Sequence, residues 1–138
     1  MPTITASVLE AMANDLMHAA GASETEAAVR VENGVHTIVA NGLPNRKTGQ
    51  FPNSGNPNAI SAQNYAYTFL TQPQVTAEPT FYNVPQPFGI AVNGVLIDPF
   101  AAEWYNNNPA SGWRLAALES PLGFDEHNAD VQPTGAYH

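Results

Sequence analysis

The chain of 138 residues contains no cysteine. Disulfide bonds, thiolate metal sites and cysteine nucleophiles are therefore excluded, because each of them needs a thiol sulfur. Any metal ion must be bound by nitrogen and oxygen atoms. Lysine and arginine are also scarce, 4 in total against 12 aspartates and glutamates, and the formal net charge of -8 repels phosphate backbones. The composition thus argues against nucleic acid as a partner.

Long apolar runs are missing as well. No run approaches the roughly 18 apolar residues that span a bilayer, and the N-terminus lacks the basic and apolar regions of a signal peptide. Charged residues make up only 12% of the chain, against about 25% in an average domain. The polar surface must then come from asparagine, glutamine, serine and threonine, which is more typical of secreted or virion proteins than of cytosolic enzymes.

The length is that of one domain, and 43% hydrophobic residues can fill a single core. Helical periodicity with a capping signature predicts one amphipathic helix over residues 7–20. Its apolar positions are Val8, Leu9, Met12, Leu16 and Met17. We expect this helix to cover an edge or face of the domain; packing against a partner helix in an oligomer is the other interpretation. The predicted organisation is a helical segment over residues 1–24 and a β domain over residues 25–138.

Two Asn-Gly pairs flanked by β-forming residues, Asn33-Gly34 and Asn93-Gly94, predict two hairpins. Between them, the alternation of aromatic and smaller residues over positions 65–70 predicts a strand, and short strands around Val75 and Phe81 are possible additions limited by nearby prolines. Residues 41–59 have no apolar period and are rich in turn-forming residues, which indicates a long loop, ordered or disordered. The predicted fold is mainly β, a single-domain sandwich or open barrel built from hairpins, with the N-terminal helix packed on it.

The densest set of potential ligands is the C-terminal stretch FDEHNADVQPTGAYH, residues 124–138. Two imidazoles with carboxylates are a suitable nitrogen and oxygen set for a divalent first-row metal ion. The candidate metal ligands are His127, Asp130, His138 and Asp125. The spacing does not match an EF-hand, and a solvated polar loop without a ligand is the competing interpretation.

No catalytic residue is predicted, because the chain contains no GxSxG, HExxH, Walker or GxGxxG motif. Two further groups of residues each allow a functional and a structural interpretation. Asp98 and Glu103 either converge for acid-base work or cation binding, or are a turn cap and a solvated residue. Trp104, Tyr105 and Trp113, near Asn106–Asn108, have the chemistry of a carbohydrate site, although tryptophan is more often a core residue.

Five runs occur in this order along the chain: TIVANGLPNRKTGQFPNSGNPNAI, FGIAVNGVLIDP, AAEWYNN, GWRLAAL and NADVQPTGAYH. Together they resemble the YHYH family of mostly bacterial, mostly exported proteins, over about residues 29–138. The resemblance implies a β-rich binding or structural module, without established enzymatic activity, in an extracellular or virion assembly. Its expected partners are further copies of itself or other assembly proteins. The alternative function is a metal-binding protein or metal-dependent enzyme that uses the C-terminal histidines and aspartates.

The family is named for a Tyr-His-Tyr-His motif, and Tyr137-His138 corresponds to its first half. Family members usually carry a histidine where this chain has Asn45 and Arg46, and another where it has Asp130. Two explanations stay open. A chain that continues beyond His138 would complete the motif and favour the metal site, whereas a chain that ends there would keep the fold as a structural or binding module.

Overall fold

The computed structural model describes residues 24–79, 87–99 and 101–138. They form antiparallel strands and three-residue 3₁₀ helices, so the mainly β prediction is confirmed. The strands are β1 (Ala27–Glu32), β2 (Val35–Ala40), β3 (Tyr65–Leu70), β4 (Gly89–Ile90) and β5 (Leu96–Ile97). The 3₁₀ helices are Tyr105–Asn107, Pro109–Ser111 and Ala117–Glu119. The predicted N-terminal helix lies outside the described residues, and within them no helix is long and apolar enough to cross a membrane.

The first predicted hairpin is confirmed, and it forms the larger sheet. β1 and β2 pair antiparallel across Asn33-Gly34, whose φ angles of 50° and 78° are both positive, as a type I′ turn requires. Asparagine and glycine adopt positive φ at the lowest cost, which is why this pair specifies the turn. β3 pairs with the other edge of β2, so β2 is the central strand. Residues 37–40 of β2 are accordingly buried, and β1 and β3 are largely exposed.

The second predicted hairpin is confirmed but short, with two residues in each of β4 and β5. Its turn packs so closely on the end of β2 that a Cβ at Gly94 would collide with Ala40 Cβ. The sheets of the described residues do not close into a barrel. The predicted strand around Val75 is wrong, because residues 71–79 find no strand to pair with and Val75 is fully exposed; position 81 lies outside the described residues.

Residues 41–59 form an ordered loop whose asparagine side chains replace the hydrogen bonds of a sheet. The buried Asn41 accepts from the Glu26 and Leu43 backbone N–H groups at 3.1 Å each. Asn53 Oδ1 accepts from the N–H groups of Gly55 and Asn56 at 2.9 Å each. The loop is therefore held in place although it contains no strand or helix.

The C-terminal residues 130–138 fold back as a small hairpin. Asp130 and His138 exchange two backbone hydrogen bonds of 3.1 Å, and the Gln132 N–H donates to the Ala136 carbonyl at 3.0 Å. The three-residue turn between them needs glycine at position 135, where φ is 85° and a Cβ would collide with Ser61 Oγ. This hairpin supplies both the core and the candidate site.

The core beneath the hairpin is centred on Tyr137, which is 0% exposed. It packs with the buried residues Val95, Ala129 and Val131. Phe51, from the long loop, meets the Tyr137 ring edge to face, with ring centroids 6.2 Å apart. The loop and the hairpin are thus fixed against each other by the same aromatic residue.

Candidate functional site

The C-terminal hairpin presents two chemically different faces, because successive residues of an extended strand point in opposite directions. Val131 and Tyr137 point into the core. Asp130 and His138, one position further out on each strand, point the other way. Since they are directly opposite each other in the register, their side chains meet, and His138 Nε2 lies 3.1 Å from Asp130 Oδ1.

Asp130 and His138 line a cleft of about 800 Å³. Asp98 and Glu103, which the sequence left open as a converging or a solvated pair, line the same cleft. One wall is apolar and includes Leu118, Leu122 and Phe124. Among the described residues, neither lysine nor arginine lines it, so the titratable side chains of the cleft are three carboxylates and one imidazole.

The Asp130 carboxylate is only partly satisfied by the protein. Asn56 Nδ2 donates to Oδ2 at 3.3 Å, whereas the buried Oδ1 accepts no hydrogen bond. His138 is near enough for an ion pair, but its ring is not aligned to donate to Oδ1. Burial raises the pKa of Asp130, and the negative charges of Glu103 and Asp98 raise it further. His138 and the Asn56 hydrogen bond oppose this, and the resulting pKa is raised.

The orientation of His138 leaves one ring nitrogen facing the carboxylate. Its Nδ1 lies 3.3 Å from the Ala136 carbonyl oxygen. When Nδ1 carries the proton and donates it to that carbonyl, Nε2 carries a lone pair 3.1 Å from Asp130 Oδ1. Two acceptors at 3.1 Å repel each other unless a proton or a cation lies between them. The separation is also close to that of two neighbouring ligands around a cation bound at roughly 2.1 Å.

Asp130→Asn is expected to raise the free energy of unfolding at pH 7. Because the pKa of Asp130 is raised by folding, the folded protein holds this proton more tightly than the unfolded chain does. Ionised Asp130 therefore destabilises the fold as the pH rises above the carboxyl's ordinary value of 3.8. Denaturant unfolding at pH 3 and pH 7 should show similar stabilities at the lower pH and a more stable variant at the higher one.

Glu126→Gln is the matched control for this prediction, because it removes one negative charge from a side chain that is 72% exposed. It corrects for the gain in the free energy of unfolding that any reduction of the net negative charge would bring. An Asp130→Asn protein that gains no more stability at pH 7 than Glu126→Gln does would contradict the prediction.

Asp125 is satisfied where Asp130 is not. Its Oδ2 accepts from the Gly49 N–H at 3.0 Å and from the Tyr137 hydroxyl at 2.8 Å. Its Oδ1 accepts from the N–H groups of His127 at 2.8 Å and Ala129 at 3.2 Å. Burial raises the pKa of Asp125, but these four hydrogen bonds favour the ionised form and leave the pKa lowered. The carboxylate joins the long loop, the 125–129 turn and the last strand.

Tyr137 is the side-chain donor to Asp125, and its pKa is shifted as well. Burial, the hydrogen bond to Asp125 and the charge of Asp125 raise the pKa of Tyr137 to about 12, although Arg46 opposes the rise. The phenol therefore stays protonated and remains a donor to Asp125 at any ordinary pH.

His127 lies apart from the cleft. Its Nε2 is 3.1 Å from the Lys47 carbonyl oxygen and 3.7 Å from Glu126 Oε1. The structure therefore brings together two of the four predicted ligands, Asp130 and His138, and places Asp125 and His127 in other hydrogen-bonding groups. In the described part of the chain, no three histidine, aspartate or glutamate side chains are arranged to hold a metal ion. A divalent metal bound by all four residues stays a prediction.

Sequence reasoning missed Asn56 and Asn58 as supports of the cleft. Both line it, and both donate to the Val131 carbonyl, at 2.9 Å and 2.7 Å. Asn56 also reaches Asp130 and is itself 5% exposed. The available signal was the close spacing of Asn53, Asn56 and Asn58 in the second half of an asparagine-rich loop.

A family model described as YHYH protein matches residues 66–138, more than half of the chain. The chain belongs to the YHYH family. The resemblance predicted from the sequence is thereby confirmed over this range, which begins in β3. The charged residues of the cleft all lie within the YHYH region, whereas the asparagine loop that supports them lies before it. No curated protein and no solved structure is significantly similar to the chain.

Tyr137 and His138 lie on opposite faces of the last strand. Tyr137 is buried in the core and bonded to Asp125, while His138 faces the cleft and meets Asp130. A Tyr-His pair in extended backbone necessarily separates in this way, because neighbouring side chains alternate. In this YHYH protein the tyrosine positions the strand and the histidine lines the candidate site.

Proposed function

We propose that this YHYH protein is a binding module that takes a positively charged ligand in the cleft beside Asp130 and His138. The observation that supports the proposal best is Asp130 Oδ1, a buried carboxylate oxygen that accepts no hydrogen bond. A buried acceptor that receives no hydrogen bond costs about 1–3 kcal/mol. A ligand that donates a hydrogen bond or coordinates there recovers that free energy on binding.

The surroundings of Asp130 favour positive charge. Asp98 and Glu103 add negative charge to the same cleft, and after burial their charges are the causes that raise the pKa of Asp130. A cation would relieve this repulsion, and the formal net charge of -8 attracts cations from a distance. The volume of about 800 Å³ lies within the range of small-molecule sites.

The positive charge has two chemical sources, a divalent metal ion or an organic amine. For a metal ion, the Ala136 carbonyl would fix the imidazole tautomer from behind, as outer partners of metal-bound histidines do. For an amine, the ammonium group would donate to the carboxylates and its carbon chain would pack on Leu118 and Leu122. The extracellular or virion setting and the assembly partners stay predictions from the resemblance.

Calorimetric titration with zinc chloride and, separately, with spermidine tests the proposal at pH 7.5 and low salt. Wild-type protein is expected to bind one equivalent of at least one of them. Asp130→Asn should weaken that binding by about tenfold or more, since it removes the charge and the free acceptor. His138→Gln should weaken zinc binding only, because an amine needs the carboxylates rather than the imidazole lone pair.

His36→Gln is the control, since it removes a histidine from β2 without touching the cleft. Absence of binding by both probes would contradict the proposal, as would binding that Asp130→Asn leaves unchanged. Zinc binding that depends on His127 and not on His138 would show that the metal binds outside the cleft, and would contradict the proposed site.

A further inference from the structure

Residues 103–115 form another small hairpin, separate from β4–β5 and from the C-terminal one. Trp104 and Arg114 form an antiparallel bridge, and the Tyr105 N–H donates to the Trp113 carbonyl at 2.9 Å. This register places Trp104 opposite Arg114 and Tyr105 opposite Trp113. Tyr105 and Trp113 are the next pair towards the turn.

The two pairs differ in what covers them. The Arg114 guanidinium lies 3.6 Å above the centre of the Trp104 ring, a cation–π contact that occupies that ring. In the other pair, Trp113 is 73% exposed and Tyr105 is 53% exposed. Neither ring stacks on another aromatic ring of the described residues. We call Tyr105 and Trp113 the aromatic platform.

Amide side chains follow the aromatic platform directly. Asn106 and Asn107 are exposed and have positive φ angles of 52° and 53°. The side chain of Asn108 accepts from the Ala110 N–H at 3.0 Å and is therefore used within the turn. Those of Asn106 and Asn107 make no hydrogen bond to any described residue, so their donors and acceptors are open to a ligand.

We infer that the aromatic platform binds carbohydrate. The C–H faces of a sugar ring pack on exposed indole and phenol rings, and sugar hydroxyls pair with amide donors and acceptors. The backbone hydrogen bond of 2.9 Å between Tyr105 and Trp113 keeps the two residues adjacent, so both rings can contact one oligosaccharide. The net charge of -8 disfavours an acidic polysaccharide, which makes a neutral glycan the matching class. This inference does not depend on the cation proposed for the cleft.

The test is a titration with three neutral hexasaccharides, β-1,4-linked N-acetylglucosamine, β-1,4-linked glucose and α-1,4-linked glucose. Calorimetry measures the affinity, and tryptophan fluorescence should shift to the blue as Trp113 is covered. Trp113→Ala and Tyr105→Ala are each expected to weaken binding by about tenfold. Trp113→Phe should retain part of the affinity, because it keeps a ring for stacking.

Phe69→Ala is the matched control, because it removes an aromatic ring that is 41% exposed on β3, away from the platform. Its affinity should equal that of wild type, and so should that of Asp130→Asn. Three outcomes would overturn the inference: no binding of any hexasaccharide at millimolar concentration, binding that survives Trp113→Ala and Tyr105→Ala, or binding lost through Asp130→Asn alone.

Discussion

Asp125→Asn is expected to lower the free energy of unfolding by about 3 kcal/mol at pH 7. The ionised carboxylate accepts four hydrogen bonds, two on each oxygen. Asparagine has one oxygen and one NH₂ group, so two of the four donors would face another donor instead of an acceptor. The Gly49 and Ala129 N–H groups cannot turn away, because they belong to the backbone. Denaturant unfolding monitored by circular dichroism measures the loss.

The pH dependence of this effect has a defined sign. Because the pKa of Asp125 is lowered by folding, its contribution is present above its ordinary value of 3.8 and is lost as the pH falls through the lowered pKa. The difference between wild type and Asp125→Asn should therefore shrink in acid. Glu126→Gln, next in the sequence and 72% exposed, should change the stability by no more than about 0.5 kcal/mol. An Asp125→Asn protein as stable as this control at pH 7 would show that the carboxylate does not hold the loop.

Tyr137→Ala is expected to lower the free energy of unfolding by about 4 kcal/mol, as other large buried aromatic truncations do. The side chain is 0% exposed, and its removal would leave a cavity among Phe51, Val95 and Val131. Tyr137→Phe keeps the ring and loses only the hydroxyl that donates to Asp125, so about 1–2 kcal/mol is expected. The difference in the free energy of unfolding between Tyr137→Ala and Tyr137→Phe measures the contribution of packing separately from that of the hydrogen bond.

The exposed Tyr105 provides the control for Tyr137. It is 53% exposed, and Tyr105→Ala should change the stability by about 0.5 kcal/mol at most. A double-mutant cycle of Asp125→Asn with Tyr137→Phe should show coupling, because the two side chains share a hydrogen bond of 2.8 Å. Equal losses for Tyr137→Ala and Tyr105→Ala would mean that Tyr137 does not organise the core.

Asp125 and Asp130 are the same residue type five positions apart, and their environments give them different roles. Four donors hold Asp125 ionised and make it a structural acceptor. Asp130 has one donor, and burial together with the charges of Glu103 and Asp98 raises its pKa. Environments that push the pKa values of neighbouring carboxyl groups apart are a feature of functional sites. The expected gain in stability on replacing Asp130 would fit a residue retained for binding rather than for folding.

The parts of the fold that depend on local backbone preferences could be predicted from the sequence. Both Asn-Gly hairpins and the strand at residues 65–70 are present, because turn residues and alternation act over a few positions. The prediction of a strand around Val75 is wrong, because β-forming residues make a strand only where another strand pairs with them. The loop at residues 41–59 was ambiguous because its order depends on distant partners, such as Val131, 75 positions from Asn56.

The sequence by itself determined the chemistry available to this protein. Without cysteine and with few cations, a charged site is built mainly from imidazole and carboxylate groups and favours positive charge. Only the tertiary structure decided which of these groups act together. The register of the C-terminal hairpin sets Asp130 against His138 and turns Tyr137 towards Asp125, and chain segments distant in sequence add Asp98 and Glu103 to the cleft. The physical reason is that strand pairing and burial, rather than spacing along the chain, determine which carboxylate is satisfied and which is left to meet a ligand.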